Sequence, residues 1–448
     1  MFETRFDYDN YSFAMRDTEL IRAKGSVVQL VGLVIEALLQ GVRIGELCYI
    51  RSQDKQRIYP AEVVGFKARR VLLMPLADIQ GIGAGCEVVA TNRLVSVKVG
   101  PKLLGRVVDG IGNPMDGKGP IIAEDVYPLD NAPPNPIRRA RITNIMPVGV
   151  RVIDGFLTFG EGQRIGLFAG SGVGKSTLLG MIARNAKADI NVLCLVGERG
   201  REVNEFIEDS MGEEGMARSV VVCATSDMSS LLRMKAPMTA SAIAEYFRDQ
   251  GLKVFLMMDS VTRFAMAQRE VGLAIGEPPS TKGYTPSVFA MLPRLLERAG
   301  MADRGSITAL YTVLVEGGDM EDPIADAVRG ILDGHIVMDR KIAARTIYPA
   351  IDILPSVSRL MAQLVPKDHL TAAANVRKLM SDFNDVQDML TIGAYVRGSN
   401  PDFDQAIAMR PQIDDFRKQA TDDPSTLEDA VATIKFLGAR GSNVAGFS

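Results

Sequence analysis

Residues 169–176 read Ala-Gly-Ser-Gly-Val-Gly-Lys-Ser, between an apolar run at Gln163–Phe168 and a helix-forming one at Thr177–Ala183. Strand, glycine loop and helix in that order is the setting in which a phosphate-binding loop works. Glycine at 170, 172 and 174 allows backbone angles that gather successive N–H groups around an anionic oxygen. The following helix contributes the positive end of its dipole. Lys175 is then placed to reach terminal phosphates, and the Ser176 hydroxyl to reach a magnesium ion carried by them. Ala169 stands where the pattern begins with glycine, which is compatible with any φ below zero. The expected cradle is therefore Ala169, Gly170, Ser171, Gly172, Val173, Gly174, Lys175, Ser176 and Thr177. These residues imply a nucleoside triphosphate site.

Two acids follow in an order that suits such a site. Val192–Val196 reads as a buried strand and ends in Gly197-Glu198-Arg199-Gly200-Arg201-Glu202. A carboxylate at the C-terminal end of a parallel strand, near a phosphate loop, can orient and polarise a water. On this segment alone, a surface turn charge is the competing reading of Glu198. Lys253–Asp259 is a second apolar strand ending in an acid, the form of the motif whose Asp holds magnesium indirectly. Asp also ends many strands as the cap of the next helix, so Asp259 gains its meaning from Lys175 and Ser176.

The 448 residues exceed one ordinary core and predict two or three domains. No window approaches about eighteen uncharged apolar residues, the length a spanning helix needs. The opening Met-Phe-Glu-Thr-Arg-Phe-Asp lacks the apolar stretch of a secretory signal. Cys48, Cys86, Cys194 and Cys223 are scattered, which predicts small core residues in a reducing cytosol. A net charge of −3 with interspersed signs argues against wholesale nucleic-acid binding.

Composition changes divide the chain. Residues 1–22 are polar yet carry Phe2, Phe6, Tyr8, Tyr11 and Phe13, a combination typical of segments that order on a partner. From 23 to 99, short Val/Ile/Leu runs separated by Gly, Asp and Arg predict a small β-barrel. A Gly/Pro-rich connector occupies 100–147, and 148–365 alternates strand-like and helical runs, the pattern of a parallel α/β sheet. Residues 366–448 are mostly helical in pattern.

Two further residues are legible only weakly. Arg359 closes Ser356-Val-Ser-Arg359, where spacing alone gives a solvated arginine at a helix start. Tyr348 precedes Pro349, where a ring could meet a base or simply pack. His335 and His369 lie far apart with no metal-ligand spacing, and both are expected to be structural or exposed.

The motifs together carry a resemblance over nearly the whole chain. Gly170–Ser176, Gly197–Glu202, Met258-Asp259-Ser-Val-Thr-Arg263, Gly283-Tyr-Thr-Pro286 and Tyr348-Pro-Ala-Ile-Asp352 resemble the rotary ATPase superfamily. Ala265–Pro279 and Asp333-Gly-His-Ile-Val337 are similar to the cytoplasmic ATPases of flagellar and type III protein export. Gly393–Ser399 is closer to the flagellar branch than to the injectisome branch.

That resemblance implies a RecA-like α/β P-loop motor with an N-terminal β-barrel and a C-terminal helical domain. It implies ATP and Mg2+ at the interfaces of a homohexamer, with Lys175 on the phosphates and Ser176 and Asp259 at the metal. Glu198 would be the catalytic carboxylate and Arg199 a contact near the terminal phosphate. Tyr348 would stack on adenine, and Arg359 would be a finger offered to a neighbouring copy. Gly276–Ser280 matches a sleeve around a coiled-coil central stalk. A stator-like regulator dimer would bind the N-terminal tail, and the ring would take export substrates from chaperones to an export gate at the inner face of the cytoplasmic membrane.

Three other classes share parts of this pattern. A catalytic subunit of an ion-translocating ATP synthase has the same core and glutamate but lacks the export-type runs. An RNA translocase needs stacking aromatics and basic residues on its barrel, yet Tyr49, Tyr59 and Phe66 are the only aromatics between 25 and 99. A non-catalytic ring subunit typically lacks the carboxylate at Glu198.

Overall fold

The computed structural model describes residues 22–440, and the expected partner-binding tail at 1–22 lies almost wholly outside them. The chain forms two compact units that divide near residue 95, the first also including Leu273–Glu277.

The first unit is a closed six-stranded barrel of β1 (Lys24–Val31), β2 (Val34–Leu38), β3 (Glu46–Arg51), β4 (Ile58–Lys67), β5 (Arg70–Pro75) and β6 (Glu87–Leu94). Its order is β1-β2-β5-β4-β3-β6, and closure leaves no free edge. Alternate residues fill the inside, as with Cys48 and Ile50 on β3 and Val88 and Ala90 on β6. Of the three aromatics, Tyr59 is buried with its hydroxyl donating to the Gln80 carbonyl (2.9 Å).

The second unit is built on a largely parallel sheet. Its strands are β8 (Val107–Val108), β10 (Arg164–Ala169), β11 (Ile190–Val196), β12 (Ser219–Ala224), β13 (Lys253–Asp259), β14 (Gly300–Met301), β15 (Ser306–Leu314), β16 (Gly334–Met338) and β17 (Ile351–Ser358). Along the sheet the order is β17-β16-β10-β15-β13-β11-β12-β8, with β14 beside β15. The central strands are nearly all Val, Ile, Leu, Met and Cys because helices cover both faces. The segment expected to be a mere connector adds to this unit: Val107–Val108 joins β12 in parallel, and β9 (Asp125–Pro128) pairs with β7 (Ser96–Val99), the last residues of the expected barrel stretch, which fall in this unit. The four cysteines are free and buried.

The edge strand β17 runs antiparallel to β16, the feature that matters most for the site. Helices Lys367–Thr391, Pro401–Arg417 and Leu427–Arg440 share one apolar core with the sheet. Arg377 ties the first of them to β17, donating to the carbonyls of Ile353 (2.6 Å) and Ser356 (3.3 Å). His369 is buried against the Gly155 carbonyl (2.7 Å), and His335 meets the Pro355 carbonyl (2.8 Å); both are structural.

Candidate nucleotide site

The phosphate loop leaves the sheet from β10, whose last residue, Ala169, pairs with Leu314 on β15 and Met338 on β16. An alanine fits because it is still a buried strand residue. Gly172 and Gly174 take φ of 77° and 85°, and Gly174 caps the helix Lys175–Asn185. Gly170 does not use the left-handed region, so the expectation of unusual backbone angles at all three glycines holds for two. Val173 is buried beneath the loop, while Ser171, Ser176 and Thr177 are exposed.

Strand order then gathers the distant acids. β13 lies one strand beyond β15, and β11 lies next to β13. Their C-terminal ends therefore bring Asp259 and Glu198 to the start of the helix at Lys175. The Lys175 ammonium stands 2.5 Å from Asp259 Oδ1 and 3.6 Å from Glu198 Oε1. On the intervening β15, the Thr312 hydroxyl donates to the same Asp259 oxygen (2.7 Å). The Asp259–Ser260 and Tyr348–Pro349 peptides are cis.

Burial and the adjacent Asp259 carboxylate push the Glu198 carboxyl up to about 7, with Lys175 pulling the other way. A low local dielectric strengthens both effects. A carboxyl that gives up its proton near neutrality is matched to general-base work. Gly197 before it adopts φ of 68°, and a side chain there would meet the stem of Arg263 at 3.3 Å. Arg263 Nε is buried with no hydrogen-bond partner among the described residues. Arg199, by contrast, points outward, 83% exposed and 3.7 Å from Glu202, so the fold does not bring it into the Lys175 cluster.

Tyr348 does reach the loop. It is 46% exposed, and a side chain at Gly174 would meet its ring at 3.5 Å. The Gln419 N–H donates to the Tyr348 carbonyl (2.8 Å), fixing the ring's backbone from the helical segment.

Arg359 lies at the other end of the sheet. It follows the last residue of β17, not a helix, and its N–H donates to the Asp333 carbonyl (3.0 Å). Its guanidinium donates to the Arg329 carbonyl (3.3 Å) and is exposed. Asp333 in turn binds Arg164 at the beginning of β10 (3.0 Å). Arg164 and Ala169 are five steps apart along that strand, roughly 16 Å at about 3.3 Å per step. Arg359 is thus beyond reach of its own chain's phosphate loop.

Three residues beside the site were not singled out from sequence: Thr312, Arg263 and Arg340, whose guanidinium donates to Ser171 Oγ (2.9 Å) and to the Ser171 carbonyl (3.2 Å). The one sequence signal for Thr312 is a hydroxyl near the C-terminal end of a buried strand. Arg263 was visible as part of the Asp259 motif. Arg340 carries no local signal.

Among the described residues no group of three or more His, Cys, Asp or Glu could hold a metal. Asp259 and Thr312 nevertheless meet beside Lys175, and Ser176 follows it at the helix start, so hard oxygen donors are present here. Such a set fits a magnesium ion that keeps most of its coordination from phosphate and water.

Comparison with known proteins agrees with this layout. Residues 149–358 match the ATP synthase alpha/beta family nucleotide-binding domain, 27–92 its beta-barrel domain, and 365–435 the T3SS EscN ATPase C-terminal domain. The chain is 53% identical to the flagellum-specific ATP synthase of Bacillus subtilis, over 94% of this chain and 96% of that one. It is also 53% identical to the type 3 secretion system ATPase of Xanthomonas euvesicatoria, over 92% and 93%. The structure of the assembled ATPase EscN from the enteropathogenic E. coli type III secretion system superposes with a TM-score of 0.88 at 46% identity, covering 92% of this chain and 100% of that one. EscN in complex with its central stalk EscO gives 0.85 at the same identity and coverage.

Proposed function

Because the chain belongs to the flagellar and type III secretion ATPases of the ATP synthase alpha/beta family, we propose that it hydrolyses ATP in a head-to-tail ring of six identical copies and so energises flagellar protein export. The observation that carries this reading is the division of one sheet. Lys175, Glu198 and Asp259 meet at one end, and Arg359 stands exposed at the other. A heterologous ring lets each copy complete the next one's site.

In this reading Lys175 and the loop Ala169–Thr177 hold the phosphates, and Ser176 and Asp259 would hold Mg2+, which when bound would supply positive charge against the phosphate oxygens. Glu198 accepts the proton of the attacking water. Lys175 exchanges its carboxylate neighbours for phosphate oxygens, which leaves Glu198 free to act. Tyr348 offers an exposed ring to the adenine. Arg359 of one copy meets the charge that develops in its neighbour's site, and Arg199, exposed beside Glu198, closes on the terminal phosphate from the same side.

The further partners follow from the family. EscN is found in complex with its central stalk EscO, which supports a stalk for this chain as well; we place its entry at Gly276–Ser280. A stator-like regulator dimer would bind residues 1–22, outside the described residues, and chaperone–cargo complexes would be unloaded toward the export gate. No described helix is long and apolar enough to cross a membrane, which suits a peripheral position at the inner face. Gly393–Ser399 favours the flagellar branch; the injectisome is the second reading, favoured by the secretion ATPase from Xanthomonas euvesicatoria.

Specific ATPase activity should rise with chain concentration, because isolated copies hold only part of each site. Specific activity that stays constant on dilution through the assembly range, followed by light scattering, would overturn the shared-site reading.

A further inference from the structure

Beyond the expected cradle, the connection between β16 and β17 grips the phosphate loop at two places. Asp339 caps the short helix Arg340–Ala344, accepting from the Lys341 N–H (2.6 Å), and so fixes the backbone that carries Arg340. The Arg340 guanidinium then binds Ser171 twice, through the hydroxyl (2.9 Å) and the main-chain carbonyl (3.2 Å). A side chain at Gly170 would meet its Nε at 3.5 Å. Eight residues on from Arg340, the same connection returns with Tyr348 against Gly174.

Between these holds the loop has little packing of its own. Ser171 and Gly172 are exposed, and nothing lies within 4 Å of where a Gly172 side chain would begin. A cradle of backbone N–H groups works only if the peptides already point at one place, since ordering them on binding costs backbone entropy. We propose that Arg340 is a positioning residue of the nucleotide site, acting through Ser171 to hold the loop crest in its phosphate-binding shape. This inference rests on the nucleotide-site reading above. A guanidinium suits the task because its planar fork can hold a hydroxyl and a carbonyl together, whereas a lysine presents a single point.

A residue that shapes the loop serves ADP and ATP alike. Arg340→Ala should therefore weaken both by a similar factor, about 3- to 10-fold, the scale of one or two exposed charge-assisted hydrogen bonds. KM for ATP should rise by the same factor, kcat should change by less than about twofold, and Arg340→Lys should recover part of the loss. Affinities are measured with a fluorescent ADP analogue and by ATP competition against it. Unliganded melting temperatures of Arg340→Ala and Arg340→Gln report whether the fold is intact. Unchanged ADP affinity in a normally folded variant would overturn the proposal. Loss confined to ATP would overturn it too, by making Arg340 a contact of the terminal phosphate. ADP binding needs neither Glu198 nor Arg359, so failure of the catalytic assignments would leave this result standing.

Discussion

The two ends of the motor sheet are built to different purposes. At the C-terminal ends of β10, β11 and β13, charges of opposite sign converge on one point: Lys175 between Asp259 and Glu198, with Thr312 below. At the opposite end most charge is consumed in pairs, Arg164 with Asp333 (3.0 Å) and with Glu297 (2.5 Å). Arg359 there is held by its backbone, with its guanidinium exposed. Charges that neutralise one another within the chain maintain the fold, while one held in place yet exposed is available to another molecule. In the shared-site reading proposed above, this chain would carry two halves of a site facing away from each other.

The most severe way to break that division is Arg359→Ala. The expected loss is about 10³- to 10⁵-fold in kcat, the range for an arginine that meets transition-state charge, with ATP still bound. Mixing Arg359→Ala with Glu198→Gln sharpens the comparison. At equal amounts about a quarter of interfaces should pair an intact Glu198 with an intact Arg359 from the neighbour in a closed ring, and activity should return. No recovery at any ratio, with mixed rings confirmed by native mass spectrometry, would place Arg359 on its own chain's site or on none.

Glu198→Gln alone should lower hydrolysis by about 10²- to 10⁴-fold while leaving ATP binding near normal. The pH dependence has a definite sign. The Glu198 carboxyl is raised to about 7, so the ionised base is lost as pH falls through that value and kcat/KM should fall with it. In stability the sign reverses. Ionising a carboxyl whose folded-state value is raised costs stability between its ordinary value and about 7. Glu198→Gln should therefore melt higher than the parent at pH 8 and close to it at pH 4. A melting difference that does not grow with pH would remove the buried-carboxylate explanation.

The smallest effect is expected from Asp333→Asn. It removes the ion pair with Arg164 but keeps the main-chain carbonyl that accepts from the Arg359 N–H. A partly exposed pair of this kind is worth about 0.2–1 kcal/mol, so the rate should drop no more than about fivefold with ATP affinity unchanged. Weakened ATP affinity, measured by equilibrium titration, would show that this end of the sheet acts on its own chain's site.

Much of the site was legible because its signals are local. Gly172, Gly174, Lys175 and Ser176 announce a strand–loop–helix turn within a dozen residues, and Glu198 and Asp259 each end an apolar run whose length and composition define a buried strand. The barrel was readable for the same reason, through alternation along short strands. The strand within the Gly/Pro-rich connector was not, since Val107–Val108 is too short to show any period and exists through its pairing with β12.

The sequence by itself determined the chemistry on offer: a phosphate loop, two strand-end acids and a chain alternating between strands and helices. Periodicity and turn chemistry act over a few residues, so they survive in a string of letters. Tertiary structure alone decided the company those groups keep. It placed β15 between β10 and β13, which sets Thr312 on Asp259. It brought the β16–β17 connection back onto the loop, which places Arg340 and Tyr348 beside it. It also turned β17 antiparallel, so that Tyr348 and Arg359, eleven residues apart, stand at opposite ends of one sheet. Strand order and direction come from packing between residues far apart in the chain, and no local pattern encodes them.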